Sequence, residues 1–164
     1  MSFGATFVFA EAKGITRTNR HFTIQTNNQA YTARTVILAF GLSRRHLGVP
    51  GEEEFLGKGV SYCATCDAPL YKGRDAAVVG FGAPAYDAAL LLSRVSRRVY
   101  FITTQPTLTG DQSLIQNIRS LDNMHIYTGT AVQEIRGNGT VTDMRIIRNN
   151  TTQTINVQGV FIEV

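Results

Sequence analysis

Tryptophan is absent from the 164 residues, cysteine occurs only twice and histidine three times. Two cysteines cannot build the multi-bridge framework of a small secreted scaffold. A structural zinc site takes four ligands, and with no second cysteine pair His21, His46 and His125 would have to complete it, yet they show no ligand spacing. No run approaches the roughly 18 apolar residues of a membrane span. Met1-Ser2-Phe3-Gly4 lacks the basic start and apolar core of a signal peptide. No membrane partner is therefore expected, and a cytoplasmic location is the default. The net charge of +4 is scattered, with Arg44-Arg45 and Arg97-Arg98 the only adjacent basic pairs. Without a basic stripe, no nucleic-acid footprint is expected. Heptads, fixed-period repeats and low-complexity tracts are also missing.

What is present suffices for a real core, since 43% of the residues are hydrophobic and a chain of this length can bury one domain, or one domain and a fragment of another. The first forty residues read as β. Thr6 to Glu11 and His21 to Thr26 alternate, Asn27-Asn28 signals a turn, Gln29 to Ala33 continues the meander, and Val36 to Ala39 is an apolar run suited to a strand buried on both faces. From Ser43 to Gly59 the chain is polar and irregular, as in a crossover. Then comes a βαβ order: strand Ala76 to Val79, turn Gly80-Phe81-Gly82, helix Pro84 to Val95 with Pro84 first, and strand Val99 to Ile102. A helix capped by Asp111 carries Leu114, Ile115, Ile118 and Leu121 on one face, and His125 to Tyr127 resumes the sheet. Ala131 to Ile135, Val141 to Ile147 and Thr152 to Val157 form a three-stranded antiparallel excursion before the buried strand Val160 to Ile162. The fold class expected is α/β, a Rossmann-like parallel sheet with helices and that excursion, preceded by a β segment.

Cys63-Ala64-Thr65-Cys66-Asp67 sets both cysteines at the spacing of a redox dithiol, where thiolate attack on a disulfide can be followed by internal closure. A helix N-terminus or a cation would lower a thiol pKa from about 8.5 towards roughly 3.5 to 7.5. Half a zinc site and an inert pair of core thiols are the alternatives. Asp67 can exchange a proton with a neighbouring thiolate, or serve merely as a turn or helix cap. Gly80-Phe81-Gly82-Ala83-Pro84-Ala85 fits G-x-G-x-x-A between a strand and a helix, the setting of a dinucleotide turn. In that reading Gly80 permits the tight turn, Gly82 lets a pyrophosphate approach, and Ala85 lets the helix pack close. The other reading is a turn that binds nothing. Pro84 offers no N–H there. About 20 positions on, where such folds place an acidic residue or an arginine for the ribose, Thr103 to Thr109 carries no charge.

Together these features resemble the low-molecular-weight thioredoxin reductase family, a class of pyridine nucleotide-disulfide oxidoreductases that includes the flavoprotein subunit of alkyl hydroperoxide reductase. The residues carrying the resemblance are Val49-Pro50-Gly51-Glu52, Gly57 through Asp67, Lys72-Gly73, Val78 through Gly82, and Gly159 through Ile162. It implies an FAD domain interrupted by a nicotinamide domain with the dithiol. Electrons would pass from NADPH or NADH to FAD, to the disulfide, and on to a thioredoxin-like protein disulfide, in a homodimeric parent. Carried over by position, Cys63 attacks the partner, Cys66 faces the flavin and Asp67 moves the proton, while Gly80, Phe81, Gly82, Ala83 and Ala85 hold the pyrophosphate. The family's first glycine-rich FAD segment has no counterpart, and its A-T-G is Ala39-Phe40-Gly41. Residues 1–43 are then expected to be part of an FAD domain, 44–158 the dithiol domain, and 159–164 the start of a return to the FAD domain. On this reading the fragment alone is inactive. The uncharged Thr103 to Thr109 also suits a parent fed by another donor, such as ferredoxin. A non-catalytic redox-partner or dinucleotide-binding module, and a thiol oxidase, share the same motifs.

Overall fold

The computed structural model describes residues 4–41 and 45–164. The chain divides into two compact units, Met1–Leu42 and Ser43–Val164. The boundary expected at residues 43 and 44 lies outside the described residues.

The first unit is an antiparallel meander of β1 (Ala12–Thr18), β2 (His21–Thr26) and β3 (Ala30–Ala33) in the order β1-β2-β3. Thr26 shapes the second turn: its hydroxyl accepts the Asn28 and Gln29 N–H groups and donates to the Gln29 carbonyl. Two expected strands are not formed. Residues 6–11 and 36–39 carry no strand, and Ile37, expected to be buried on both faces, is 92% exposed. Alternation and apolar content mark β potential, but a strand exists only where a neighbour takes up its backbone hydrogen bonds. Among the described residues β1 and β3 supply that neighbour only to β2.

In the second unit a parallel sheet has the order β4-β11-β5-β6-β7, built from β4 (Val60–Ser61), β5 (Asp75–Gly80), β6 (Arg98–Ile102), β7 (Met124–Tyr127) and β11 (Gly159–Glu163). Residues 159–164, set apart in the sequence as a return to another domain, thus place β11 between β4 and β5. Between β7 and β11 runs an antiparallel meander of β8 (Thr130–Asn138), β9 (Thr140–Arg148) and β10 (Thr151–Asn156). Its β9–β10 turn is Asn149-Asn150, at φ 48° and 61°, a left-handed pair that asparagine tolerates.

The parallel strands are apolar on both faces because both are covered. Ala76, Val78, Val99, Phe101 and Phe161 meet Ala85, Ala88, Ala89 and Leu92 of α2 (Gly82–Ser93) and Ile115 and Ile118 of α3 (Gln112–Arg119). Ala77, Val79, Ile102, Val160 and Ile162 meet Ile135, Val141, Met144, Ile146 and Ile155 of the antiparallel layer. The α2 helix begins two residues earlier than expected, so Pro84 is its third residue and not its first. The ring is still tolerated, since a helix has no acceptor for its first four N–H groups. As expected, Asp111 caps α3, accepting the Ser113 N–H at 2.8 Å. Leu121 falls beyond the helix end. Among the described residues no helix is long and apolar enough to cross a membrane.

One residue ties the amino ends of three strands together, by its carboxylate on one side and its backbone on the other. Asp75, 1% exposed, receives Arg97 through two bonds of 2.8 and 2.7 Å and also Arg98, while its N–H donates to Gln158 next to β11. The Arg97 hydrogen bonds outweigh the cost of burial and, with Arg98, lower its pKa from 3.8 to about 2. A carboxylate depressed on folding stabilises the fold above its unfolded pKa, and the contribution is lost as pH falls through the folded value. Asp75→Asn should lower stability by about 2 kcal/mol at neutral pH. In urea titrations the gap between variant and parent should narrow below about pH 4 and close near pH 2.

Candidate active site

The dithiol turn follows β4. Cys63 and Cys66 are joined in a disulfide, with Cα atoms 5.3 Å apart, across the four-residue helix α1 (Ala64–Asp67). The spacing allows this because one helical turn brings residues three apart onto the same face. Cys63 caps the turn, its Sγ receiving the Cys66 N–H at 3.2 Å. Cys66 is exposed and Cys63 half-buried. Asp67 closes the turn half-buried, its Oδ2 accepting the Ser61 hydroxyl at 2.7 Å, while Ser61 Oγ accepts the Cys63 N–H at 3.0 Å. Ser61 therefore links Asp67 to Cys63. No role could be read for it from sequence, because only the turn brings residue 61 back to residue 67.

A second buried carboxylate fastens the preceding segment to this strand. Glu52, 2% exposed, accepts the Leu47 and Gly48 N–H groups at 2.9 and 2.7 Å and the Tyr62 hydroxyl, with His46 Nδ1 3.5 Å away. Burial works to raise its pKa, but Tyr62 and the backbone donors prevail and hold it below the usual carboxylate value. Tyr62 adjoins Cys63, so this cluster sets where the dithiol turn leaves the sheet. Glu52 stood in the motif string but its pairing with Tyr62 could not be read there.

The glycine turn joins β5 to α2 as expected, but its glycines divide the work differently. Gly82 holds the left-handed conformation, at φ 73°, with open space where a Cβ would point. Gly80 is not in that region. A Cβ on it would stand 2.0 Å from the Glu163 carbonyl oxygen, so its role is the close passage of β5 and β11. Phe81 is extended and half-exposed, its N–H donating to the Glu163 carbonyl at 3.3 Å; Ala83 is exposed, and Ala85 is fully buried against the sheet. A cleft of about 280 Å³ opens at the carboxyl ends of β5, β6 and β11, lined by Gly80, Phe81, Thr103, Thr104, Ala131 and Val164 among others. Parallel sheets bind ligands at this edge, where the strand order reverses.

The arrangement fits a pyrophosphate in part. The first turn of α2 has no side-chain cap, leaving the Gly82 and Ala83 N–H groups for an anion, whereas Pro84 has none. The ribose end fits less well: Thr103 is buried and bonded to the Gln105 N–H, the Thr109 backbone is fastened to Tyr86, and no charged group intervenes. Among the described residues of Met1–Leu42 no glycine-rich strand–turn–helix is present to hold a flavin. Gly80→Ala should lower stability by about 3 kcal/mol through the forced separation of β5 and β11. Gly82→Ala should cost only about 1 kcal/mol of backbone strain, an order that chemical denaturation of the two variants checks.

Comparison with known proteins agrees with this geometry. A thioredoxin reductase of Treponema pallidum (strain Nichols) is 38% identical over 98% of this chain and 53% of its own length. A bifunctional thioredoxin reductase/thioredoxin of Mycobacterium leprae (strain TN) is 40% identical over 86% of this chain and 31% of its own length. The crystal structure of T. acidophilum thioredoxin reductase superposes with a TM-score of 0.77 at 35% identity, covering 94% of this chain and 52% of that one. The chain thus spans about half the length, or less, of these relatives. With a match over residues 2–164, the chain belongs to the pyridine nucleotide-disulphide oxidoreductase family.

Proposed function

We propose that this chain is the dithiol-bearing part of a flavoprotein that reduces a protein disulfide of the thioredoxin kind. The observation that carries the reading is the Cys63–Cys66 disulfide across α1, with Asp67 at the end of the same turn held by Ser61. The separate compactness of Met1–Leu42 supports reading it apart from the dithiol unit, as part of a flavin domain; residues 44–158 would be the inserted domain, with β11 packed into its sheet. FAD, held by the rest of such a protein, would supply the electron pair that reduces the disulfide.

In the reduced pair, Cys63 as thiolate attacks one sulfur of the partner disulfide. A Cys63–partner bond forms, the partner's own bond breaks, and its departing thiolate takes up a proton. Cys66 then attacks Cys63 Sγ, restoring the Cys63–Cys66 bond and releasing the second partner thiol. The partner gains two electrons and two protons, and the chain returns to its oxidised form. Asp67, its carboxylate held by the Ser61 hydroxyl, would take and return the proton at this turn. If a nicotinamide dinucleotide is the ultimate donor, the turn Gly80 to Ala85 would hold its pyrophosphate.

Cys66→Ser leaves the attacking thiol without its resolving partner, so incubation with oxidised thioredoxin should accumulate a mixed disulfide visible on a non-reducing gel. Cys63→Ser should trap none, and undiminished trapping by that variant would sink the assignment. The uncharged Thr103 to Thr109 favours a donor other than a nicotinamide. Calorimetry with NADPH and with NADH should accordingly show no micromolar binding, and such binding by either would return the nicotinamide as donor.

A further inference from the structure

Glu163, at the end of β11, lies between the two motifs. Its carbonyl meets Gly80 and Phe81 of the glycine turn. Its side chain points the other way, into a cleft of about 340 Å³ walled by Ala64 and Thr65 of α1 and by Pro84, Asp87, Ala88 and Leu91 of α2. There its carboxylate shares a cleft with Ala64, the residue next to Cys63. The reaction scheme above gives Glu163 no part.

The geometry points to Glu163 as a positioning residue that sets the acidity of the Cys63 and Cys66 thiols, acting through its charge beside the dithiol turn. An anionic carboxylate beside the turn opposes a thiolate there. The charged groups facing Glu163 are few. From α2 comes Asp87, of the same sign; from α1 come only the uncharged Ala64 and Thr65, Asp67 being held by Ser61 of β4 outside this lining; from β5 there is only Gly80, since Asp75 sits at the opposite end of that strand. No lysine, arginine or histidine lines this cleft among the described residues. Val164 turns to the other cleft. Burial raises the Glu163 carboxyl pKa and the Ala64 N–H offsets this only in part, so the carboxyl is poised to discharge at higher pH than an ordinary glutamate. As it does so, its opposition to a thiolate fades.

This inference rests on reading Cys63 and Cys66 as a working dithiol, but its test needs no partner protein. The reduced 164-residue chain would be titrated with pH, following thiolate absorbance and the rate of alkylation by iodoacetamide. Glu163→Gln keeps an acceptor for Ala64 and removes the charge, so the lower thiol pKa should fall by about one unit, raising the thiolate fraction at neutral pH by up to roughly tenfold. Glu163→Asp, which keeps the charge, should stay near the parent. Coincident titration curves for the parent and Glu163→Gln would overturn the proposal. So would a shift seen in Glu163→Ala but not in Glu163→Gln, because the side chain would then be only a hydrogen-bond acceptor. If Glu163→Gln fails to fold by circular dichroism, Glu163→Ala compared with Glu163→Asp decides between charge and no effect. Loss of thioredoxin trapping, in contrast, is read from the cysteine variants and bears on the dithiol reading alone.

Discussion

The close passage of β5 and β11 at Gly80 and Glu163 is the constraint on which the site depends. A hydrogen atom at Gly80 lets the two backbones meet where any Cβ would strike the Glu163 carbonyl. That carbonyl then receives the Phe81 N–H, which aims the chain into α2, while Glu163 also lines the cleft beside Ala64 of the dithiol turn. Two motifs separated along the chain are thus positioned by one residue far beyond both. A displacement of β11 would move both, because interiors packed at crystal-like density transmit such shifts.

The two faces of the parallel sheet give the site its two sides. On the helical face, α1 and α2 flank the dithiol and the cleft that holds Glu163. Across the sheet, the antiparallel layer and the segment from His46 to Val49 wall the cleft at the strand ends. Gly80 and Phe81 line the cleft at the strand ends, and Pro84 of the same turn lines the cleft beside α1.

Two buried carboxylates anchor opposite ends of this layer by different means. Asp75 relies on two guanidinium groups that hold it ionised, and it pins the amino ends of β5, β6 and β11. Glu52 relies mainly on backbone donors and the Tyr62 hydroxyl, and it pins the segment leading into the dithiol strand. Each is satisfied by its partners, which is the condition for burying such a group without destabilising the fold.

Much of the second unit was legible in the chain itself. Short apolar runs bounded by glycine and asparagine located β5, β6 and β8 to β11, the 3.6-residue apolar stripe located α2, and Asp111 marked the start of α3. Such signals are local, arising from periodicity and backbone preference over a few residues. Cys63, Cys66 and the glycine turn were equally plain, because their chemistry lies in spacing. The N-terminal strands at residues 6–11 and 36–39 were misjudged, since a strand depends on a partner that local pattern cannot reveal. The amino-acid sequence by itself determined the dithiol, the turn after β5 and the α/β order. Tertiary structure alone decided that Gly80 serves strand packing, that Ser61 holds Asp67, that Tyr62 meets Glu52, and that Glu163 lies in a cleft beside Ala64 of the dithiol turn, because these contacts join residues whose separation along the chain carries no sign of their closeness in space.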